Sequence, residues 1–427
     1  MKRVPQRKVC KKPIVGRFFA GFMGCLFSLS VFAADTVPSA ILSMSDVLTL
    51  TMNNHADLKA LVKQQDVLQG RITQAATAQR PQIGLMMEDA MGSGDYSGLK
   101  SMQTTLTFSW LLEQAQIDSR VKAIKSEAEQ LQLDKQIKAL DLAALAARQF
   151  IEVLIKTERL TLNQLAVEQA KDVLSAINER IAAGKGSEIE RKLGEAELVR
   201  RELAVEDITH DIQASKYQLS ALWGEPDTDY QLSGNLLELP VIPAAQPHVD
   251  ALKRNPSVQR FATAQRIAQS QIERARIEAR PQWQLSAGLR RYETTDDFGF
   301  VAGITIPWGN ADYNAGTIAA LQAQQEVLNS QQASLMQQLD AQLYALLQEM
   351  KHSMHVIETV DTRIVPTLES ALSEARKAFE LGQLSYNQWS DVRHELLSAQ
   401  SQLLDAYQSL HLQHIEIQRL TGTSLSQ

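Results

Sequence analysis

Ser101-Met102-Gln103-Thr104-Thr105-Leu106-Thr107-Phe108-Ser109-Trp110 puts Met102, Thr104, Leu106, Phe108 and Trp110 on one side of an extended chain. Ser101, Gln103, Thr105, Thr107 and Ser109 fall on the other side. Successive strand side chains point to opposite faces, so this decapeptide presents one apolar and one polar surface. Three further segments alternate in the same way. Ile83, Leu85 and Met87 oppose Gln82, Gly84, Met86 and Glu88; Trp283, Leu285, Ala287 and Leu289 oppose Gln282, Gln284, Ser286, Gly288 and Arg290. Phe298, Phe300, Ala302, Ile304 and Ile306 oppose Gly299, Val301, Gly303 and Thr305. About ten residues is the length of a tilted strand that crosses a bilayer. Trp110, Trp283 and Trp308 fall at strand ends, where an interfacial aromatic girdle sits. The segments 82–90, 101–110, 282–292 and 298–307 are therefore predicted as membrane strands. The competing reading is a pair of soluble hairpins resting one face on a helical core. Four strands cannot close on themselves, and an open edge in hydrocarbon leaves backbone groups unsatisfied at several kcal/mol each. Such a barrel has to be shared between sister chains. The polar stretches 91–100 and 293–297 suit turns on its outer side.

Outward from the strands the chain is written twice. Asn54-His55-Ala56-Asp57-Leu58 has a counterpart in Asn255-Pro256-Ser257-Val258, and Gln79-Arg80-Pro81-Gln82 in Ala279-Arg280-Pro281-Gln282. Thr107-Phe108-Ser109-Trp110 matches Thr305-Ile306-Pro307-Trp308, Gly184 matches Gly382, and Trp223-Gly224 matches Leu420-Thr421-Gly422. The offset stays between 198 and 201 residues, which points to an internal duplication. The first repeat is 35–225 and the second 247–427, joined by a segment at 226–246 that Pro226, Pro240 and Pro243 make irregular. Each repeat orders a helix, two strands and a long helical hairpin. Helices are predicted near 43–80, 111–182, 187–223, 247–279, 311–381 and 385–421, the two hairpins spanning 111–223 and 311–421. A helix of some 70 residues is about 105 Å long and has to lie against others along its length. Pro366 lies inside one of these runs and is expected to kink it, because it lacks an N–H for the ladder. The last helix carries apolar residues at 3-4 spacing from Trp389 through Leu396, Leu403 and Leu410 to Ile417, beside a second stripe of Leu397, Leu404 and Tyr407. Two seams suit a helix in a ring; a broad apolar face in a simple bundle is the alternative.

Residues 1–34 read as a secretory signal: seven basic residues from Lys2 to Arg17, an apolar run Phe18 to Phe32, and small residues near Ala33 and Ala34. Removing those seven from 43 Lys and Arg leaves 36 basic against 49 acidic residues, so the exported chain is acidic and unsuited to nucleic acid. Both cysteines, Cys10 and Cys25, precede the expected cleavage point, which excludes a disulfide framework or cysteine-ligated metal in the mature chain. No Ser/His/Asp set, phosphate loop or paired catalytic carboxylate stands out, so neither an enzyme nor a resident cofactor is expected.

The arrangement resembles the TolC family of outer-membrane channel proteins over about residues 43 to 424. The resemblance is carried by Leu42-Ser43-Met44-Ser45-Asp46-Val47-Leu48 with Asn53-Asn54, by Arg80-Pro81-Gln82 and Arg280-Pro281-Gln282, and by Ile306-Pro307-Trp308-Gly309-Asn310. His55 departs from the proline that the family usually has there and that the second repeat has at Pro256. Ile364-Val365-Pro366 to Leu372, then Gly382-Gln383-Leu384-Ser385-Tyr386, look most like the branch serving metal and drug efflux pumps of the resistance-nodulation-division type, closest to its cobalt-zinc-cadmium members. The resemblance implies a mainly α fold with a small β part. Long antiparallel hairpins would form a periplasmic α-barrel, and four strands per chain would contribute to a trimeric twelve-stranded β-barrel in the outer membrane of a Gram-negative cell. It further implies a passive duct in a tripartite system, docking through its hairpin tips on a periplasmic adaptor that connects it to an inner-membrane pump. Divalent heavy-metal cations are the expected cargo. A drug-efflux or type I secretion channel of the same fold is the alternative, and a periplasmic coiled-coil scaffold the alternative of another class.

Gly184, Gly186 and Ser187, and Gly382 and Ser385, are the tip residues: glycine gives a left-handed cap and serine caps the returning helix. The resemblance places the periplasmic entrance at Gln388 and Asp391, of which only Asp391 keeps the family's acidic character. His352 and His355 on one long helix, and His411 and His414 on its antiparallel partner, fall at matching heights and are candidates for a four-imidazole Zn²⁺ site. Histidines on separate solvated faces are the competing reading.

Overall fold

The computed structural model describes residues 40–240, 250–309 and 313–423. The expected signal, both cysteines, Pro243 and Asn310 lie outside the described residues. The first helical run does not continue from 43 to 80. It divides at His55 into α1 (Met44–Asn54) and α2 (Ala56–Ala75). His55 leaves the helical region (φ −58°, ψ 130°) and its Nδ1 accepts the N–H of Asp57 at 3.1 Å, so it caps the second helix. Asn255 repeats this with the same φ and ψ, its Oδ1 accepting from Ser257 at 2.8 Å, ahead of α5 (Pro256–Glu278). A side-chain cap thus makes the same break in both repeats, with Pro256 added in the first turn of the second.

Two arms follow. The first is α3 (Gln114–Ala182) and α4 (Glu188–Ala221). The second is α6 (Ala315–Thr359), α7 (Val365–Glu380) and α8 (Tyr386–Thr421). α3 runs for 69 residues without interruption, about 104 Å at 1.5 Å per residue. Pro366 does not simply kink the second arm. A single π turn at Val360–Ile364 separates α6 from α7, and Pro366 sits in the first turn of α7, where its missing N–H costs no ladder bond.

Strands β2 (Gln82–Glu88), β3 (Gln103–Leu112), β5 (Trp283–Tyr292) and β6 (Asp297–Thr305) form one antiparallel sheet in the order β2-β3-β5-β6. The β3–β5 pairing joins the two halves of the chain, Leu106 lying opposite Leu289. A second sheet was not visible in the sequence: β1 (Ala40–Ser43) pairs in parallel with β4 (Tyr230–Ser233). The segment at 226–246 is therefore not wholly irregular. Tyr230 is buried, its hydroxyl donates to the Lys216 carbonyl at 2.7 Å, and Leu236 joins a core with Val47, Phe150, Leu219 and Trp223. A second core of Leu343, Leu347, Met350, Leu410 and Ile417 lies between α6 and α8, and a third of Val173, Ile177, Phe379 and Trp389 near the hairpin ends.

Candidate functional site: sheet faces and hairpin tips

Register fixes what each sheet face carries. Directly opposed residues share a face, so Ile83, Phe108, Ala287 and Ala302 form one row and Leu85, Leu106, Leu289 and Phe300 the next. This face is bare: Ile83 is 76% exposed and Phe300 93%. Two ends of the sheet, β2 and β6, have no strand partner among the described residues. Trp110 lies opposite Leu285, Trp283 opposite Leu112, and Trp308 follows β6 with 99% of its surface exposed. All three tryptophans stand at the end of the sheet next to the helices, Trp110 leaning on Phe108 at 5.8 Å between ring centroids.

The opposite face is polar and strapped. Arg290 on β5 donates to Thr105 at 2.9 Å and Gln103 at 3.0 Å on β3, and to Glu88 at 2.9 Å on β2. One guanidinium thus spans three strands. The sequence hint was a charge on the polar side of an alternating strand, but its partners depend on register.

The two tips have the same construction. Gly184 and Gly382 adopt φ of +70° and +78°. Gly184 and Lys185 donate to Ile181 and Arg180 at 2.9 and 2.8 Å, and Gly382 and Gln383 to Phe379 and Ala378 at 3.0 and 2.9 Å, so both are Schellman turns. Gly186 is held for a different reason: a Cβ there would meet the Ile181 backbone nitrogen at 2.9 Å. Ser187 and Ser385 each cap the returning helix in a capping box, with Glu190 and Gln388. Gln388 is thereby engaged, its Oε1 accepting the Ser385 N–H at 3.1 Å, while Asp391 one turn on is exposed.

Contacts that the sequence did not signal tie the arms together. Arg180 donates to the Phe379 carbonyl and lies 4.3 Å above that ring, which in turn stacks at 4.7 Å on Trp389. Higher up, Glu197 of α4 is buried and accepts from Arg201 at 2.7 Å and from Arg200. His394 Nε2 is 3.3 Å and Arg393 4.0 Å from the same carboxylate. Burial pushes the Glu197 pKa up, but the surrounding cations, Arg201 first, outweigh it and hold the group below the usual carboxylate range.

The four histidines are not brought together. Ser353 and Gln413 are the residues that meet between α6 and α8, at 3.1 Å, and His352 and His355 occupy exposed positions. His411 is half-buried and its Nε2–H donates to the Leu236 carbonyl at 2.8 Å; burial lowers its pKa. Among the described residues no group of three or more His, Cys, Asp or Glu side chains converges on a cation position.

Residues 47–225 match the family described as Outer membrane efflux protein. Over 385 residues it is 25% identical to the cobalt-zinc-cadmium resistance protein CzcC of Cupriavidus metallidurans, covering 89% of this chain and 90% of that one. The crystal structure of CusC superposes with a TM-score of 0.72 at 14% identity, covering 91% of this chain and 94% of that one. The outer membrane protein VceC of Vibrio cholerae gives 0.69 at 15% identity, over 89% and 96%. The fold is TolC-like, mainly helical with a small strand portion. The chain is thus similar in sequence to outer membrane efflux proteins over its first repeat, and in fold to solved outer-membrane channels over nearly the whole of its length.

Proposed function

We propose that three copies of the chain close a twelve-stranded barrel in the outer membrane and form the exit duct of a tripartite efflux system of the resistance-nodulation-division type. The observation that carries this reading is the four-stranded sheet: one face is apolar and exposed, the other polar and strapped, and both edges lack a strand partner among the described residues. A sheet of that kind is stable in lipid only when sister sheets satisfy its edges and lipid covers its apolar face. Trp110, Trp283 and Trp308 sit at the periplasm-side interface of that barrel. The arms extend into the periplasm, where the tips at Gly184 to Ser187 and Gly382 to Ser385 meet an adaptor and Asp391 faces the entrance. Residues 1–34 direct export. The likeness to CzcC supports divalent heavy-metal cations as cargo. A duct needs no resident metal site for this, since driving force and selection reside in the pump.

Two measurements test the proposal. Purified full-length protein should need detergent for extraction and migrate as a trimer; a freely soluble monomer would overturn the barrel. Deleting the gene should lower tolerance to zinc, cobalt or cadmium more than to a panel of drugs; the reverse pattern would reassign the cargo and leave the barrel standing.

A further inference from the structure

Between α3, α7 and α8, beginning about one turn above the hairpin ends, the structure forms an open-sided cavity of about 400 Å³. Its floor holds two nearly fully buried donors, Trp389 at 6% exposure and Arg393 at 4%. Trp389 Nε1 and Arg393 Nη2 have no hydrogen-bond partner among the described residues. Gln169 and Gln400 line the same cavity, and the Oε1 of each is likewise buried without a partner. Leu165, Val173, Leu372 and Leu396 supply apolar walls.

The charge balance says what is missing. Arg393 bonds the Tyr386 side chain and has one buried carboxylate in reach of its Nη2, Glu197 at 4.0 Å, which already serves Arg200, Arg201 and His394. A guanidinium nitrogen out of water without a hydrogen-bond acceptor is costly, and an indole N–H with no acceptor adds to the cost. Asp172 and Glu369, the other acids at the cavity, stand at its exposed rim with Arg376, where water screens them. The floor therefore lacks an acceptor that carries negative charge, and the two glutamine oxygens lack a donor.

We infer that this cavity binds a small organic carboxylate that carries a hydroxyl or amide donor on an apolar body. The carboxylate accepts from Arg393 and Trp389, the donor reaches Gln169 or Gln400, and the body lies against the leucines. The volume matches a compact ligand pocket. The site lies in the channel wall, apart from the tips and the sheet, and is independent of which cargo the duct passes.

The probe is 3-(4-hydroxyphenyl)propionate, titrated by calorimetry into the purified full-length channel in detergent, with 3-(4-hydroxyphenyl)propionamide as its neutral counterpart. The expected result is saturable binding at one site per chain, at least tenfold weaker for the amide. Leu372→Trp, which fills the cavity, should abolish it, and Gln400→Leu should weaken it several-fold, with oligomer mass and helicity unchanged in both. Absence of saturable binding, equal binding of acid and amide, or unaltered binding in the folded Leu372→Trp protein would overturn the inference. The acid–amide pair on the unmodified protein decides the matter if a variant fails to fold. Trimer mass and metal tolerance are read separately, so failure here leaves the channel proposal intact.

Discussion

The two helical arms turn on the same chemistry and differ in everything between. Each tip is a Schellman turn with a left-handed glycine, followed by a serine cap, at an offset of 198 residues. Along the shafts the likeness ends. α3 is continuous over 69 residues, whereas its counterpart is divided by a π turn ahead of Pro366. Glu195 of the first arm corresponds at that offset to Arg393 of the second, so a surface acid on one arm becomes a buried cation on the other. The difference teaches that backbone termination and inter-arm contact are separate requirements. A tip must satisfy its own N–H and C=O groups whatever it faces, while a shaft residue answers to its neighbour.

The largest effect that would sharpen this comparison lies in the shaft. Glu197→Ala leaves Arg393 buried without a carboxylate and should cost about 3–5 kcal/mol, as breaking a buried pair does. Thermal unfolding of the purified protein should show it, whereas Glu395→Ala, at the corresponding exposed position, should change little. If the two variants behave alike, the arms are not differentiated there. Next comes the first tip, which has a requirement the second lacks. Gly186→Ala drives a Cβ against the Ile181 backbone and should cost about 1–3 kcal/mol, by the scale of overpacking. Limited proteolysis of the tips would register the loss, and an unchanged cleavage rate at the first tip would remove the requirement.

Smaller still is the effect that should be equal in both arms. Ser187→Ala and Ser385→Ala each remove an N-cap and should cost about 1 kcal/mol, so unequal losses would break the claim of common construction. The smallest is a pH effect on the second arm alone. His411 is held neutral by burial, with its folded pKa below the ordinary 6.5. The unfolded chain then binds the proton more readily, so stability is unaffected above that value and falls as pH drops through about 6.5 toward the lower folded pKa. His411→Gln should flatten the pH dependence of the melting midpoint over that window; an unchanged slope would assign it to another group.

Much of this was legible in the chain because it depends on neighbours in sequence. Alternation with period two marks β3 and β5, and Gly184, Ser187, Gly382 and Ser385 mark the ends of helices by local backbone chemistry. The break at His55 was not legible, since histidine is a weak cap signal beside the proline of the other repeat, and β1 with β4 are four-residue strands too short to show a period. The histidine pairs show the limit most clearly. Antiparallel arithmetic placed them at one height, but helix rotation brought Ser353 to Gln413 in their stead.

By itself the sequence determined where the four long strands and the two helical hairpins run, where the hairpins turn and which strand face is apolar, because those follow from φ, ψ and side-chain periods of a few residues. Only the tertiary structure decided that Arg290 reaches Glu88, that Arg180 meets Phe379, and that Arg393 and Gln169 share a cavity. Register between strands and rotation between helices are settled by packing over the whole length of the chain, and no local pattern encodes them.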